Sequence, residues 1–430
     1  LIAKECRELL SCRAWWIMLA ATGPLVGVSF ITAVHTYAEA SGLGGTSIGV
    51  GQAFSPLVGI WAPTFSAYEI AAVFLLPFVA IRMVAGDRQS GALKLELQQP
   101  IATLPRVLTK AAVLFGSWVI GLLAAAIAVT LWTSYGGDVY PSEVFGVVIG
   151  HCLNAGLTVS FGVAAASMVE NPSTAAILTF GFTIGTWLLT FAAAVRGGIW
   201  EQLAAYTPTA MVAEFQHGLI RADVLSAAIT LIVFGLVLSS TWLRIGVTVS
   251  RRIAQSALIT AITILVIIGF STVHVSWDWS ENRQNSFPES DEAILKQIKT
   301  PLRIEAHLAP EDPRRVDLEK QALSKLRRTM PDVQVQYVSS TSIGLFEQTA
   351  EHYGEVWYDL AGHKAMSRAT TEQSVLETIY TLANINASEN DSPFTGHPLA
   401  VEPTGAATIF YGIWPAVVVG VAFMVLRRSR

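Results

Sequence analysis

Charge is what this sequence has least of. Asp, Glu, Lys and Arg make up 14% of its 430 residues, and the formal net charge is -4. A nucleic-acid binder needs a concentrated basic footprint, which this balance does not supply. Cysteine is nearly absent as well. Cys6, Cys12 and Cys152 lie in or beside long apolar runs, so no disulfide framework is implied, and the Cys6–Cys12 spacing matches no zinc pattern. No GxxxxGK[ST] segment occurs, which excludes nucleotide binding by a phosphate loop on this chain. The eight histidines show no HExxH or paired-ligand spacing. There is no Gly-x-Ser-x-Gly elbow, and no cysteine in the polar C-terminal part to act as a nucleophile. An enzyme would therefore lack a catalytic constellation, and no catalytic, cofactor-binding or metal-ligating residue is expected. The glycine cluster SGLGGTSIGVG from Ser41 to Gly51 precedes no strand–helix unit and reads as a loop.

Hydrophobicity is what the chain has in quantity: 52% of residues, with a mean hydropathy of +0.49. That composition belongs to integral membrane proteins. A span needs about 20 mostly apolar residues to cross about 30 Å of hydrocarbon. Runs at 15–37, 65–85, 111–132, 144–169, 174–195, 224–242, 257–275 and 408–426 meet that test, predicting eight spans. Gly146, Gly150, Gly156, Ser160 and Gly162 recur in the fourth, as expected where membrane helices pack closely. The sequence opens at Leu1 rather than at a methionine, so residues are expected to precede it.

Basic residues set the expected orientation. Lys4, Arg7 and Arg13 precede span one. Arg82, Arg88, Lys94, Arg106 and Lys110 gather between spans two and three, Arg244, Arg251 and Arg252 between six and seven, and Arg427, Arg428 and Arg430 after eight. With eight spans these clusters share one side, with Arg196 the exception, predicting cytoplasmic termini in a bacterial inner membrane. Trp15, Trp16, Trp132, Trp242, Trp277 and Trp279 near span ends suit interfacial anchoring. Ile2, Cys6, Leu9 and Leu10 at helical spacing, with charges on the other faces, predict an amphipathic helix over 1–14 lying on the membrane surface.

From 276 to 407 the composition turns polar, predicting an extracytoplasmic domain and linker between spans seven and eight. Alternation at Leu302–Leu308, Val333–Tyr337 and Val356–Leu360 reads as three strands, with a turn at Gly362. Asp312-Pro313 starts a helix that stops before Pro331, and Thr370 with Gln373 suggests a capping box for a second helix. Strands alternating with helices imply a small α/β domain. The first helix is basic, with Arg314, Arg315, Lys320, Lys325, Arg327 and Arg328. It is either a solvated face or a dock for anionic lipid or an acidic partner. Asn386 and Asn390 head glycosylation sequons, meaningful only in a secretory eukaryotic context.

Ionisable groups in the predicted spans are few: Glu69, Arg82 and His151, with Asn154 close by. Buried charge in lipid is costly, so each is a functional candidate. Snorkelling from span ends also accounts for Glu69 and Arg82, and interhelical hydrogen bonding for His151 and Asn154.

The polar connector VAGDRQSGALKLELQQPIATLPRVLTK, from Val84 to Lys110, carries the most information. An acidic residue and an arginine (Asp87, Arg88) precede a Ser-Gly pair (Ser90, Gly91). Then come Leu93, Leu95, Leu97 and Pro100, and a polar run through Arg106 to Lys110. This arrangement resembles the segment between spans two and three of ABC-2-type transporter permeases. The amphipathic N-terminal helix, six spans to about Trp242 and a re-entrant-prone loop at 196–221 are similar too. The resemblance implies a six-span core of the ABC-2 or type V exporter kind at 15–245, followed by a seventh span (246–275) and an eighth with its basic tail (408–430). It also implies that the connector contains a coupling helix seated on a separate ATPase subunit. Asp87, Arg88, Ser90, Gly91, Leu93, Leu97 and Pro100 would be coupling residues, Gly91 for close backbone approach and Pro100 to end the helix. The leucines alternate, so a helix here is implied by the resemblance and not by periodicity. Residues 300–384 resemble the N-terminal part of the auxiliary domain of gliding-motility-type ABC systems, without that family's larger second half.

Together these imply a permease subunit, an exporter of a hydrophobic or lipid-like substrate. Its expected partners are two ATPase copies that bind the ATP and Mg, a second permease copy or homologue, membrane lipids, and an envelope protein. The alternative is a mechanotransmitter that moves its outer domain without transporting anything. Scattered Ser, Thr and Gly are all the polar lining the spans offer.

Overall fold

The structure is a computed structural model that describes residues 1–42, 55–89, 91–196, 199–273, 275–281, 283–309, 312–338, 352–385 and 396–428. Ser90, most of the glycine cluster and both sequons lie outside the described residues. Among the described residues, eight helices are long and apolar enough to cross a membrane: Arg13–Gly42, Leu57–Gln89, Thr103–Ser134, Pro141–Met168, Pro172–Ala193, Ala222–Trp242, Val249–Ser271 and Thr408–Arg428. The chain is a helical membrane protein, with the eight spans where hydropathy places them. It divides into two compact units, one of residues 1–280 with 394–430 and one of residues 281–393.

In the membrane unit, glycines let helices touch. A Cβ on Gly150 would meet Phe215, on Gly156 Ile232, and on Gly162 Ala80, which explains the small residues of span four. Sequence reading missed a second contact of this kind. Gly23 and Gly27, one GxxxG apart in span one, face Trp414 and Phe410 of span eight. Trp414 Nε1 donates to Leu19 O at 2.7 Å, fixing that crossing. The belt assignment needs correction for three tryptophans, because Trp15, Trp16 and Trp132 are buried. Trp132 packs edge-on against Tyr37 and Trp61 and donates to Asp138 O, so its indole N–H is satisfied inside the protein.

Spans two and three are irregular at the same level. Span two has π-helical stretches at Leu57–Trp61 and Ala71–Leu75. Span three breaks at Leu122, between helical segments Thr103–Gly121 and Leu123–Ser134. Tyr68 of span two occupies the break: its hydroxyl donates to Gly121 O and accepts from Ala125 N, each at 3.0 Å. A foreign hydroxyl thus stands in for one i→i+4 hydrogen bond, a recognised cause of helix bending.

The segment expected to be re-entrant forms two short helices, Ile199–Ala204 and Pro208–Gln216. It continues into strand β1 (Leu219–Arg221), which pairs antiparallel with β2 (Ser276–Asp278). Residues 276–280 therefore belong to the membrane unit, and the polar unit begins at Glu281 rather than at 276.

The polar unit is a four-stranded sheet in the order β4-β3-β5-β6, with β3 Leu302–Ala306, β4 Val333–Tyr337, β5 Val356–Leu360 and β6 His363–Ser367. β3 and β4 are parallel; the other pairs are antiparallel. Alternation puts Leu302, Ile304, Ala306, Val356, Tyr358 and Leu360 in a core covered by Leu318, Leu323, Leu326, Val375 and Ile379 of the helices. The β5–β6 turn has positive φ at both Ala361 and Gly362, the backbone a two-residue hairpin needs. Strand β6 and a helix at Glu289–Leu295 were not read from sequence. The capping box is also corrected, since the second helix is Glu372–Ala383 and its N-cap is Thr371, without a side-chain cap bond.

The basic helix is not a free cationic face. Arg314 pairs with Asp312 at 2.8 Å, Arg315 lies 3.9 Å over the Tyr337 ring, and Lys325 bonds Glu372 at 2.8 Å. Arg327 pairs with Glu319, and Arg328 donates to Asn285 O. Lys320 is exposed. The Arg314 guanidinium holds the Asp312 carboxyl down at about 2. A depressed carboxyl stabilises the fold above its unfolded pKa, near 3.9, and that contribution disappears as pH falls through the folded value. Asp312→Asn is accordingly expected to lower protection of the 313–329 helix at pH 7 and to flatten its loss between about pH 4 and 2. Hydrogen exchange followed by mass spectrometry measures this, and an unchanged acid profile would reject the pairing.

Candidate functional site

The connector is held by a buried charge network that no local pattern announces. The N-terminal helix Ile2–Ser11 is amphipathic as expected, but its inward residues are Glu5 and Leu9, while Ile2 and Cys6 are exposed. Glu5 is 3% exposed and accepts from Lys110 Nζ at 2.5 Å. The same ammonium donates to Asp87 Oδ2 at 2.7 Å, and it lies 3.7 Å from Glu8. Lys4 reaches Glu8 at 3.0 Å, Asp87 at 3.5 Å and Glu96 at closer range. Four pieces of chain meet here: the N-terminal helix, the end of span two, the connector helix and the start of span three.

Four carboxylates against two ammoniums leave a formal charge of -2. Glu5, Asp87 and Glu96 come close enough to resemble a metal site, but Lys4 and Lys110 already sit among them as counter-cations. Burial pushes the Glu8 carboxyl up, and Asp87 adds to that push, while the hydrogen bond from Lys4 and the charge of Lys110 oppose it. Buried ion pairs of this kind fix geometry more surely than they add stability.

Above this network stands the connector helix, Ala92–Leu97, so the alternating leucines do form a helix. Its N-cap Gly91 has φ +78°, and a Cβ there would meet nothing within 4 Å. Gly91 therefore suits the left-handed backbone, and no close approach within this chain requires it. Leu93 is buried and Leu95 is 69% exposed, so of the two described side chains the outward one was not singled out among the expected coupling residues, while the Leu97 side chain lies outside the described residues. Pro100 follows three residues after the helix and bars its continuation. Arg106 donates to Gln99 O at 2.9 Å, tying the return loop down.

Asp87 and Arg88 face inward rather than to solvent. Arg88 is aimed at the C-terminus of span four, donating to Ser167 O at 3.0 Å and also to Val169 O. A guanidinium on the free carbonyls of a helix end is favourable both as hydrogen bonding and against the helix dipole. The connector is thereby fixed to spans two, three and four.

A second polar cluster lies between spans two and four. Glu69 is twelve residues into span two, not at its end, and accepts from Gln216 Nε2 at 2.7 Å. That amide is 3.4 Å from His151 Nε2, and His151 is fully buried beside the rings of Phe65 and Tyr68. Asn154 is buried one turn further on, and Arg82 is exposed. Gln216 was not among the sequence candidates; it lies in the short helix after span five, where nothing local marks it. Comparisons of the chain with protein-family models, curated proteins and solved structures find no match.

Proposed function

We propose that this chain is the membrane subunit of an ABC transporter of the exporter type, driven by a separate ATPase that docks on the connector helix. The observation that carries this reading is a six-residue helix presenting an exposed leucine and anchored by buried ion pairs and Arg88 to three spans. A lone polar loop has no need of such anchoring; a surface that receives force does. In this reading Leu95 enters the ATPase surface, and Leu93, Asp87 and Lys110 carry its displacement into spans two and three. Arg88 carries it into span four. ATP and Mg bind the partner, two copies of each subunit complete the assembly, and the substrate is hydrophobic or lipid-like.

The mechanotransmitter reading is favoured by one feature, the filling of the membrane unit with large aromatic side chains such as Trp61, Trp118, Trp132, Phe30 and Phe65. Co-expression with a P-loop ATPase encoded by an adjacent gene tests the shared premise, and the lack of any such gene would count against it. Leu95→Asp is expected to abolish co-purification and stimulated ATP hydrolysis while leaving thermal stability unchanged. Lys320→Asp, in the polar unit, is expected to change neither. A complex that assembles and hydrolyses normally with Leu95→Asp would refute the docking site. Vesicle-based lipid efflux then separates the two readings.

A further inference from the structure

We propose that the open face of the sheet in the polar unit binds a neutral glycan, with a sugar ring laid on the Trp357 indole. Alternation sends Leu302, Ile304 and Ala306 into the core, so Arg303 and Glu305 of β3 point the other way. The strand register sets two rows across that face. Gln334, Arg303, Asp359 and Lys364 form one row, and Gln336, Glu305 and Trp357 the next. These side chains line a concave pocket of about 750 Å³. That volume is within the range of small-molecule sites.

Trp357 is fixed in place before any ligand arrives. Its Nε1 donates at 3.2 Å to Glu355 Oε2, two residues back on the same face of the chain. Glu355 is buried and accepts from Arg368 at 3.0 Å as well, with His352 Nδ1 2.9 Å away. The His352 and Trp357 rings meet at 87° with centres 6.1 Å apart. The indole is half-buried and tethered at its nitrogen, so ordering it on binding costs little rotamer freedom. A rigid apolar ring surface suits the C–H face of a pyranose.

The polar groups around the indole select a polyhydroxylated ligand. A sugar hydroxyl both donates and accepts, and this face offers both halves. Glu305 and Asp359 as carboxylates accept, Arg303 and Lys364 donate, and the Gln334 and Gln336 amides do either. Arg303, Glu305, Gln334, Gln336 and Lys364 are all exposed and can reach a ligand on the face. Two cations against two carboxylates leave these four without net charge, so electrostatics favour neither a polyanion nor a polycation. A protein partner would be held by a desolvated cluster of large anchors. Trp357 stands instead among charged and amide side chains, an arrangement for a neutral hexose chain.

The test uses the full chain in phospholipid nanodiscs, because detergents with sugar headgroups would compete. Chitotetraose, a neutral chain of flat hexose rings, is titrated by calorimetry and by saturation-transfer NMR. Saturable binding is expected, with the strongest transfer to the C–H protons of one ring face. Trp357→Ala should weaken it at least about tenfold, and Trp357→Phe less, because the phenyl ring keeps part of the stacking. Arg303→Ala and Gln336→Ala, at exposed positions that the fold does not need, should each weaken it about three- to tenfold. His363→Gln, opposite the core residue Leu360 and so off this face, should leave affinity unchanged. No saturable binding of chitotetraose would overturn the proposal. So would unchanged affinity in Trp357→Ala, or tighter binding of the acidic chain tetragalacturonate. The assay contains no ATPase, so its outcome is separate from that of the docking site.

Discussion

Replacing Lys110 with methionine is expected to destabilise the membrane unit by about 3–5 kcal/mol, the usual result of removing one partner from a buried ion pair. Lys110 is 7% exposed, and it is the shared donor to Glu5 and Asp87, themselves 3% and 5% exposed. Without it two buried carboxylates lose the ammonium they share, with Lys4 still beside both. The loss should be read as a fall in thermal melting temperature in detergent. Lys110→Arg should recover part of it by restoring charge. The double variant Asp87→Asn/Lys110→Met should be less damaged than the sum of its singles, because neutralising Asp87 removes one of the stranded charges. A Lys110→Met protein as stable as the wild type would show that the network does not hold the connector.

The second large effect is expected from Gly27→Leu. A Cβ at position 27 already overlaps Cβ and Cγ of Phe410, and at position 23 it overlaps the Trp414 indole. Span eight must then move away, breaking the Trp414 Nε1 bond to Leu19 O. Overpacking of this kind costs about 1–3 kcal/mol where the neighbour can shift, and more where it cannot. A graded series, Ala then Val then Leu at position 27, should lower the melting temperature stepwise. Gly420→Leu serves as the control, since that position in span eight faces open space. A flat series at position 27 would mean that spans one and eight do not pack as described.

Much of the architecture is legible locally. Apolar runs of bilayer length fixed the eight spans, because hydrophobic burial needs no knowledge of neighbours. Alternation likewise placed β3, β4 and β5, and Asp312-Pro313 marked its helix start. What escaped was everything that depends on partners far apart in the chain. Glu5 and Lys110 are 105 residues apart and Glu69 and Gln216 are 147 apart, so neither residue's surroundings reveal the other. Glu5 looked like a solvent-facing charge on a surface helix, and only the fold turns it inward. The six basic residues of the 313–329 helix misled in the opposite direction. Their charges are plain in sequence, but their acidic and aromatic partners come from elsewhere, such as Glu372 and Tyr337. Strand β6 was missed because His363–Ser367 has no apolar alternation; it is held by its hairpin and its ladder to β5.

The tyrosine set into span three has a mechanical consequence. It divides that helix into arms of about 28 Å and about 18 Å, for 19 and 12 residues at 1.5 Å each. The fulcrum belongs to a different helix, since the hydroxyl at the joint comes from span two. The longer arm begins at Thr103, just past the connector helix, so a rigid tilt about the joint would move the far tip about two-thirds as far as the connector end. Such a lever would trade distance for force, with the position of Tyr68 setting its ratio.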